Sequence, residues 1–233
     1  MADIHEACLA CLDSRGSVFA DLPAEEKQKL ARNQSSRMFR KGELIYREGE
    51  IPNGILCLAQ GKVKIIKEGV SGREQIIRLA RPVGFIGYRA FFADEPYQAT
   101  AIALEDSVVC LFNRDEILAM LKNRPDLTLK ILKTMAAELG RSDSRTVNLT
   151  QKHIRGRLAE SLLFLINTYG YEPDGQTIRA YLSREDLANL SNMTTSNAIR
   201  TLSQFAAEGV IVVDGRRISV TDQAGLGKIS ELG

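Results

Sequence analysis

One stretch leaves almost no freedom in how it folds: residues 181–220, YLSREDLANLSNMTTSNAIRTLSQFAAEGVIVVDGRRISV. Ser183 and Asp186 have the S-x-x-D form of a capping box and open a short helix over 184–190. Ser191, Asn192 and Met193 follow as a tight turn, asparagine being tolerant of left-handed backbone. Thr194 caps a second helix and Gly209 stops it. An Asp-Gly pair between two apolar runs then predicts a β-hairpin. Two short helices across a tight turn, followed by a hairpin, describe a winged helix-turn-helix. The competing reading is a three-helix core domain with a polar exposed helix. Hydroxyl-rich first turns are poor helix formers, however, and a role in a DNA groove supplies the reason for them.

With the second helix in a major groove, Thr194, Thr195, Ser196, Asn197 and Arg200 face phosphates or base edges. Ile199 and Leu202 belong to the inward face or its edge. Arg200 is the candidate for a two-pronged contact with guanine O6 and N7. Arg184, Lys152, Arg216 and Arg217 are the candidates for phosphate contacts. Residues 151–233 carry as many acidic as basic side chains, so the salt dependence of binding should be modest.

Upstream the pattern is different. Between residues 36 and 112, glycines at 42, 49, 54, 61, 69, 72, 84 and 87 punctuate brief apolar runs. In GKVKIIKEG, Val63 and Ile65 alternate with Lys62 and Lys64, and DSVVCLF is a further strand. Glycine turns with period-2 apolar residues predict an antiparallel sandwich or roll. From Arg114 to about Leu149 the period becomes helical, and Pro125 suits a helix start. Its stripe runs through Leu132, Met135, Leu139 and Leu149, interrupted by Ser142 and Thr146. Such a seam faces another helix, which we read as that of a twin chain; packing on the chain's own roll is the alternative. IRGRLAESLLFLINTYG is then an amphipathic helix ending near Gly170, and YEPDGQTIRAYL a hairpin. The fold class is therefore α+β, in three parts: an antiparallel β-roll with a leading helical segment (1–113), a dimerisation helix (114–150) and the winged helix-turn-helix (151–233).

Composition excludes little but helps. The 31 basic and 29 acidic side chains nearly balance, so nucleic-acid binding must rest on local features. The N-terminus has acidic residues and no apolar core of a signal peptide. No run approaches the roughly 18 apolar residues of a membrane span. Four cysteines in a chain of 233 residues do not make a disulfide scaffold, and a cytoplasmic location is expected. His5 and His153 are the only histidines. With no nucleophile–base pairing or phosphate loop in sight, an enzyme is not expected.

The order of parts, with RKGELIYREGE, LAQGKVKII, GFIG, ATAIALEDS and LSREDLANLSNMTTSNAIRTL, resembles the CRP/FNR family of bacterial transcription regulators over nearly the whole chain. The resemblance implies a homodimer on a pseudo-palindromic duplex site, with RNA polymerase as a further partner. It also implies an effector or redox signal read at the roll. The cyclic-AMP branch uses a Gly-Glu pair for the ribose and an Arg-Ser pair for the phosphate. Here Gly87 is followed by Tyr88, Tyr97-Gln98 stand at Arg-Ser, and Arg89 is one residue off. An unpaired buried phosphate would be costly, so cyclic AMP is not the expected ligand. Gly87, Tyr88, Arg89, Tyr97, Gln98 and Ser142 remain the candidate effector residues.

The FNR-like branch, to which the chain is nearer, holds an iron–sulfur cluster with N-terminal cysteines and one in the roll. HEACLACLDS places Cys8 and Cys11 in C-x2-C spacing, and ALEDSVVC places Cys110 at the distant position. Ser17 stands where a further N-terminal cysteine would be, leaving His5 or Asp13 as a fourth ligand for a cluster or zinc. Alternatively, Cys8 and Cys11 lie on an amphipathic segment and Cys110 in a core strand, as buried small residues or a vestigial site. Cys57, in GILCLAQG, has no partner motif. In both best-known branches a Glu stands one turn before the recognition-helix Arg; here Ser196 does, so the base read there should differ. The rival function is an effector-binding module that regulates a partner protein, with its cysteine site vestigial.

Overall fold

In a computed structural model the chain is described for residues 4–69 and 72–232, and it divides into two compact units, residues 1–138 and 139–233. The first opens with α1 (Ile4–Asp13) and α2 (Ala24–Arg32). The strands follow: β1 (Ser35–Phe39), β2 (Leu44–Tyr46), β3 (Gly54–Gln60), β4 (Val63–Glu68), β5 (Glu74–Ala80) and β6 (Gly84–Ile86). A short helix, α3 (Tyr88–Ala93), precedes β7 (Thr100–Ala103) and β8 (Ser107–Asn113). Among the described residues these strands form two antiparallel four-stranded sheets, ordered β1-β8-β3-β6 and β2-β7-β4-β5.

The alternation expected of residues 63–68 holds for Val63 and Ile65, then slips. A register shift against β5 between Ile65 and Ile66 leaves both isoleucines buried. That is the effect of a β-bulge, which turns the next residue to the same face.

The helical stretch from Arg114 is two helices: α4 (Arg114–Asn123) and α5 (Pro125–Gln151). Asn113 caps α4 by accepting from the Asp115 and Glu116 amides. Arg124, ahead of a proline, leaves the helical region with φ −129° and ψ 80°, as steric conflict with the proline ring requires. Pro125 then starts α5 at the position where its missing N–H costs nothing.

α5 carries two interleaved stripes. Leu127 and Ile131 are buried, and Met135 packs beside them on the core of the first unit. Leu129, Leu132, Leu139 and Val147 are exposed, with Ala136, Ser142 and Thr146 open around them. The expected seam therefore shifts: Met135 leaves it, Leu149 is half-buried, and Leu129 and Ala136 enter.

The second unit contains α6 (Ile154–Tyr169), α7 (Arg184–Leu190), α8 (Thr195–Ala207), β9 (Ile211–Asp214), β10 (Arg217–Val220) and α9 (Gln223–Leu232). Leu158, Leu162, Leu187, Leu202, Phe205 and Leu226 form its buried centre. The hairpin expected over 171–182 reduces to a bridge between Tyr171 and Ile178, with Thr177 bridged to Ser219. Asp174 organises that turn by accepting from the Gln176 and Thr177 amides and the Thr177 hydroxyl. These bonds lower its carboxyl pKa to about 2.

Candidate nucleic-acid interface and signal site

The helix-turn-helix forms as its local chemistry dictates. Ser183 and Asp186 make the reciprocal capping box of α7. Asn192 takes the left-handed turn position with φ 51°, and the Thr194 hydroxyl caps α8 by accepting from the Asn197 amide. Ala198, Thr201, Leu202 and Phe205 bury one face of α8. Thr194, Thr195, Ser196 and Arg200 are exposed on the other, and Asn197 is half-buried beside them. Arg200 Nη2 donates to Asn197 Oδ1 at 2.7 Å. Ile199 is on the outer side of the edge, 47% exposed, which gives the polar row one apolar contact point.

The hairpin of β9 and β10 turns through Gly215 and Arg216, because Asp214 pairs with Arg217. Glycine thus occupies the first central position, where φ is positive (55°), and the exposed Arg216 sits at the tip. Arg184 Nη2 donates to the Gly215 carbonyl at 2.7 Å, so it ties the wing to the start of α7. Lys152 is engaged as well. Its ammonium donates to Glu160 Oε2 at 2.7 Å and Ser230 Oγ at 2.9 Å, which removes it from the phosphate candidates. Arg217 packs its guanidinium over the Tyr181 ring.

Arg145, which sequence reasoning did not single out, joins α5 to the reading head within the second unit. It donates to the Leu190 carbonyl at the end of α7 (3.2 Å) and lies over the Phe164 ring. Burial lowers its guanidinium pKa to about 10. No sequence motif marks such a residue.

In the roll, the residues expected at an effector pocket separate. Tyr97 is buried and stacks on Tyr46, ring centroids 3.9 Å apart at 18°. Burial pushes the Tyr97 hydroxyl up to about 12 and the Tyr46 hydroxyl higher still. The two rings fill the space beneath Gly87, whose φ is 69°. Arg89 is exposed and paired with Glu95 at 2.9 Å. Gln98, also exposed, reaches the same carboxylate. Tyr88 starts α3 with Arg78 over its ring. Ser142 is exposed on α5 in the second unit, and its carbonyl accepts from the Thr146 hydroxyl.

A methyl group at Gly87 would lie 2.5 Å from Tyr97 Cε1 and 3.3 Å from Tyr46 Cε1. Gly87→Ala is therefore expected to lower stability by about 1–3 kcal/mol, from overpacking plus left-handed strain. Urea unfolding measures this, and an unchanged midpoint would mean the stacked rings yield freely.

The cysteines converge beyond expectation. Cys8 and Cys110 form a disulfide, with Cα atoms 6.4 Å apart. Cys11 Sγ lies 3.1 Å from Cys57 Sγ, and Cys57 faces Cys110 across the β3–β8 ladder. The reading of Cys57 as a cysteine without partners is thus corrected. The Cys11 thiol beside it and burial push the Cys57 thiol up. Asp13 pairs with Lys27 at 2.8 Å. Ser17 is buried, and its hydroxyl accepts from the Phe19 amide. The His5 side chain lies outside the described residues. In this disulfide form Cys11 and Cys57 keep free thiols, and among the described residues no three ligand side chains stand ready for a metal.

Residues 36–124 match the cyclic nucleotide-binding domain family, and residues 156–229 match the Crp-like helix-turn-helix domain family. The chain belongs to the CRP/FNR family. It is 23% identical over 216 residues to the CRP-like cAMP-activated global transcriptional regulator of Mycobacterium tuberculosis, covering 92% of this chain and 96% of that protein. It is 27% identical over 198 residues to the anaerobic regulatory protein of Bacillus subtilis, covering 84% and 83% respectively. Among solved structures, FixK2 from Bradyrhizobium japonicum superposes with a TM-score of 0.75 at 23% identity, over 84% of this chain and 96% of that one. CRP/FNR members are transcription regulators rather than enzymes; they bind DNA through the helix-turn-helix and act as dimers. Among the described residues no helix is long and apolar enough to cross a membrane.

Proposed function

We propose that this CRP/FNR chain is a sequence-specific, homodimeric DNA-binding regulator that reads a pseudo-palindromic site through α8. The observation that carries the reading is the exposed row Thr195, Ser196 and Arg200 on the first two turns of a helix whose other face is buried. Arg200 reads a guanine, while Ser196 replaces a carboxylate acceptor with a group that both donates and accepts. Thr194, Thr195, Asn197 and the wing-tip Arg216 fix the register on phosphates and neighbouring base edges. Arg184 acts by holding the wing as well as through the backbone.

The dimer forms through the exposed face of α5, with Leu129, Leu132, Ala136 and Leu139 against their counterparts and Thr146 and Leu149 toward its end. The signal is not cyclic AMP: the Tyr46–Tyr97 stack lies beneath Gly87, and Tyr97-Gln98 stand where an Arg-Ser pair would hold the phosphate. A redox or metal signal at the cysteines fits the residues better, with Cys8, Cys11 and Cys110 as participants. It acts as a population shift between two packings of α5, and Arg145 carries that shift to α7. RNA polymerase is the further partner.

Selection from a randomised duplex library tests this. The expected product is an inverted repeat with half-sites about one helical turn apart, each containing a guanine. Random recovered sequences, together with capture of a protein partner by the isolated dimer, would favour the protein-regulating module instead.

A further inference from the structure

All four cysteines of the chain lie in the first unit, and each is buried. Cys8 and Cys11 are one turn apart on α1, while Cys57 and Cys110 are opposite one another on β3 and β8. The face of α1 that carries them therefore meets two neighbouring strands through two sulfur pairs. Cys8 is already bonded to Cys110. Cys11 and Cys57 keep free thiols with their sulfurs 3.1 Å apart, so roughly 1 Å of approach separates them from bonding distance. One buried cysteine is an ordinary small apolar residue. Two in sulfur-to-sulfur contact, beside a disulfide, make an oxidisable pair.

We propose that Cys11 and Cys57 are a peroxide-reactive dithiol that closes into a second disulfide beside Cys8–Cys110. Cys11 reacts first. It helps to line a cavity of about 180 Å³ with Ala7, Ala59 and Val83, several times the roughly 30 Å³ that a water molecule takes up in the liquid. That is room for a small uncharged oxidant such as hydrogen peroxide. Cys57 is the resolving thiol. The Cys11 thiol beside it and burial push its pKa up, which keeps it protonated until the Cys11 sulfur has become an electrophile.

In the first step the Cys11 thiolate attacks one peroxide oxygen. The O–O bond breaks, hydroxide leaves and takes up the thiol proton as water, and Cys11 becomes a sulfenic acid. Cys57 then attacks that sulfur, the S–O bond breaks, and a second water carries away the Cys57 proton. Two thiols have lost two electrons and two protons, and one peroxide has become two waters. With a single link α1 can pivot about Cys8; a second link one turn along stops that motion. The same buried core includes Leu127 and Ile131 of α5, so the second disulfide stiffens the base on which that helix rests. This deepens the redox reading of the cysteines above and rests on it.

The full chain, isolated without reductant and with a chelator present, is titrated with hydrogen peroxide. It is then mapped by mass spectrometry without reduction, using fragment spectra that break the backbone between Cys8 and Cys11. The expected product links Cys11 to Cys57, keeps Cys8 linked to Cys110, and is reversed by a dithiol reductant. In Cys57→Ser, dimedone should trap the Cys11 sulfenic acid at least about tenfold more than in the unaltered chain, because the resolving thiol is gone. The disulfide map is read on the unaltered chain, so the test survives a Cys57→Ser variant that folds poorly. Cys11 left as a thiol, or carried on to sulfinic acid while Cys57 stays a thiol, would overturn the assignment. So would a link from Cys57 to any other cysteine. Gel shift on the same samples separates the two readings: a second disulfide that leaves DNA affinity unchanged upholds the dithiol and counts against the redox signal.

Discussion

The double substitution Leu132→Glu/Leu139→Glu is expected to give a folded monomer that no longer occupies its DNA site at concentrations that saturate the unaltered protein. Leu132 and Leu139 are 60% and 64% exposed in the single chain, so little of the chain's own core depends on them. A dimer seam would cover that exposed share on four leucines. At about 1.5–3 kcal/mol for full burial of each, the exposed share amounts to roughly 4–7 kcal/mol. The four carboxylates that replace them would repel one another across the seam. Dimer affinity should therefore fall on the order of 10³–10⁵-fold. Sedimentation velocity reads the assembly, circular dichroism the fold and gel shift the loss of the paired half-sites. A double variant that stays dimeric would put the interface on a different surface.

Arg200→Ala should have the largest effect of any single change on DNA reading. In the chain without DNA, its guanidinium makes an exposed contact with Asn197 Oδ1, so it is placed along the helix yet can turn toward a base. Loss of a two-pronged guanine contact costs about 1–3 kcal/mol per half-site, and so about 2–6 kcal/mol over the dimer. The loss should vanish on operators whose guanine is already replaced. Arg216→Ala at the wing tip should behave differently, weakening all sequences alike and flattening the salt dependence by about one counterion per half-site. Equal loss of specific and random DNA binding in Arg200→Ala would remove it from base reading.

What could be read without coordinates was local. The capping box of Ser183 and Asp186, the left-handed Asn192 and the Thr194 cap each depend on neighbours within a few residues, and each is found as expected. The wing was legible except for its turn, where Gly215 takes the first central position and moves Arg216 to the tip. Features set by long-range register were not legible. Cys57 meets Cys110 only because β3 pairs with β8 in one register, and Tyr46 meets Tyr97 only because the roll closes. α5 shows a third kind of difficulty. Its two apolar stripes interleave at spacings of three and four, so pattern alone could not assign Met135 to the roll and Leu129 to the open face.

The Cys8–Cys110 link joins residues 102 positions apart, which encloses most of the first unit in one covalent ring. By chain-entropy reasoning a loop of about 100 residues raises the free energy of the unfolded chain by about 4.7 kcal/mol. Part of the first unit's margin against unfolding therefore depends on the reducing power of its surroundings as well as on packing. The roll is a fastened body in oxidising solution and a looser one in reducing solution, before any ligand is bound.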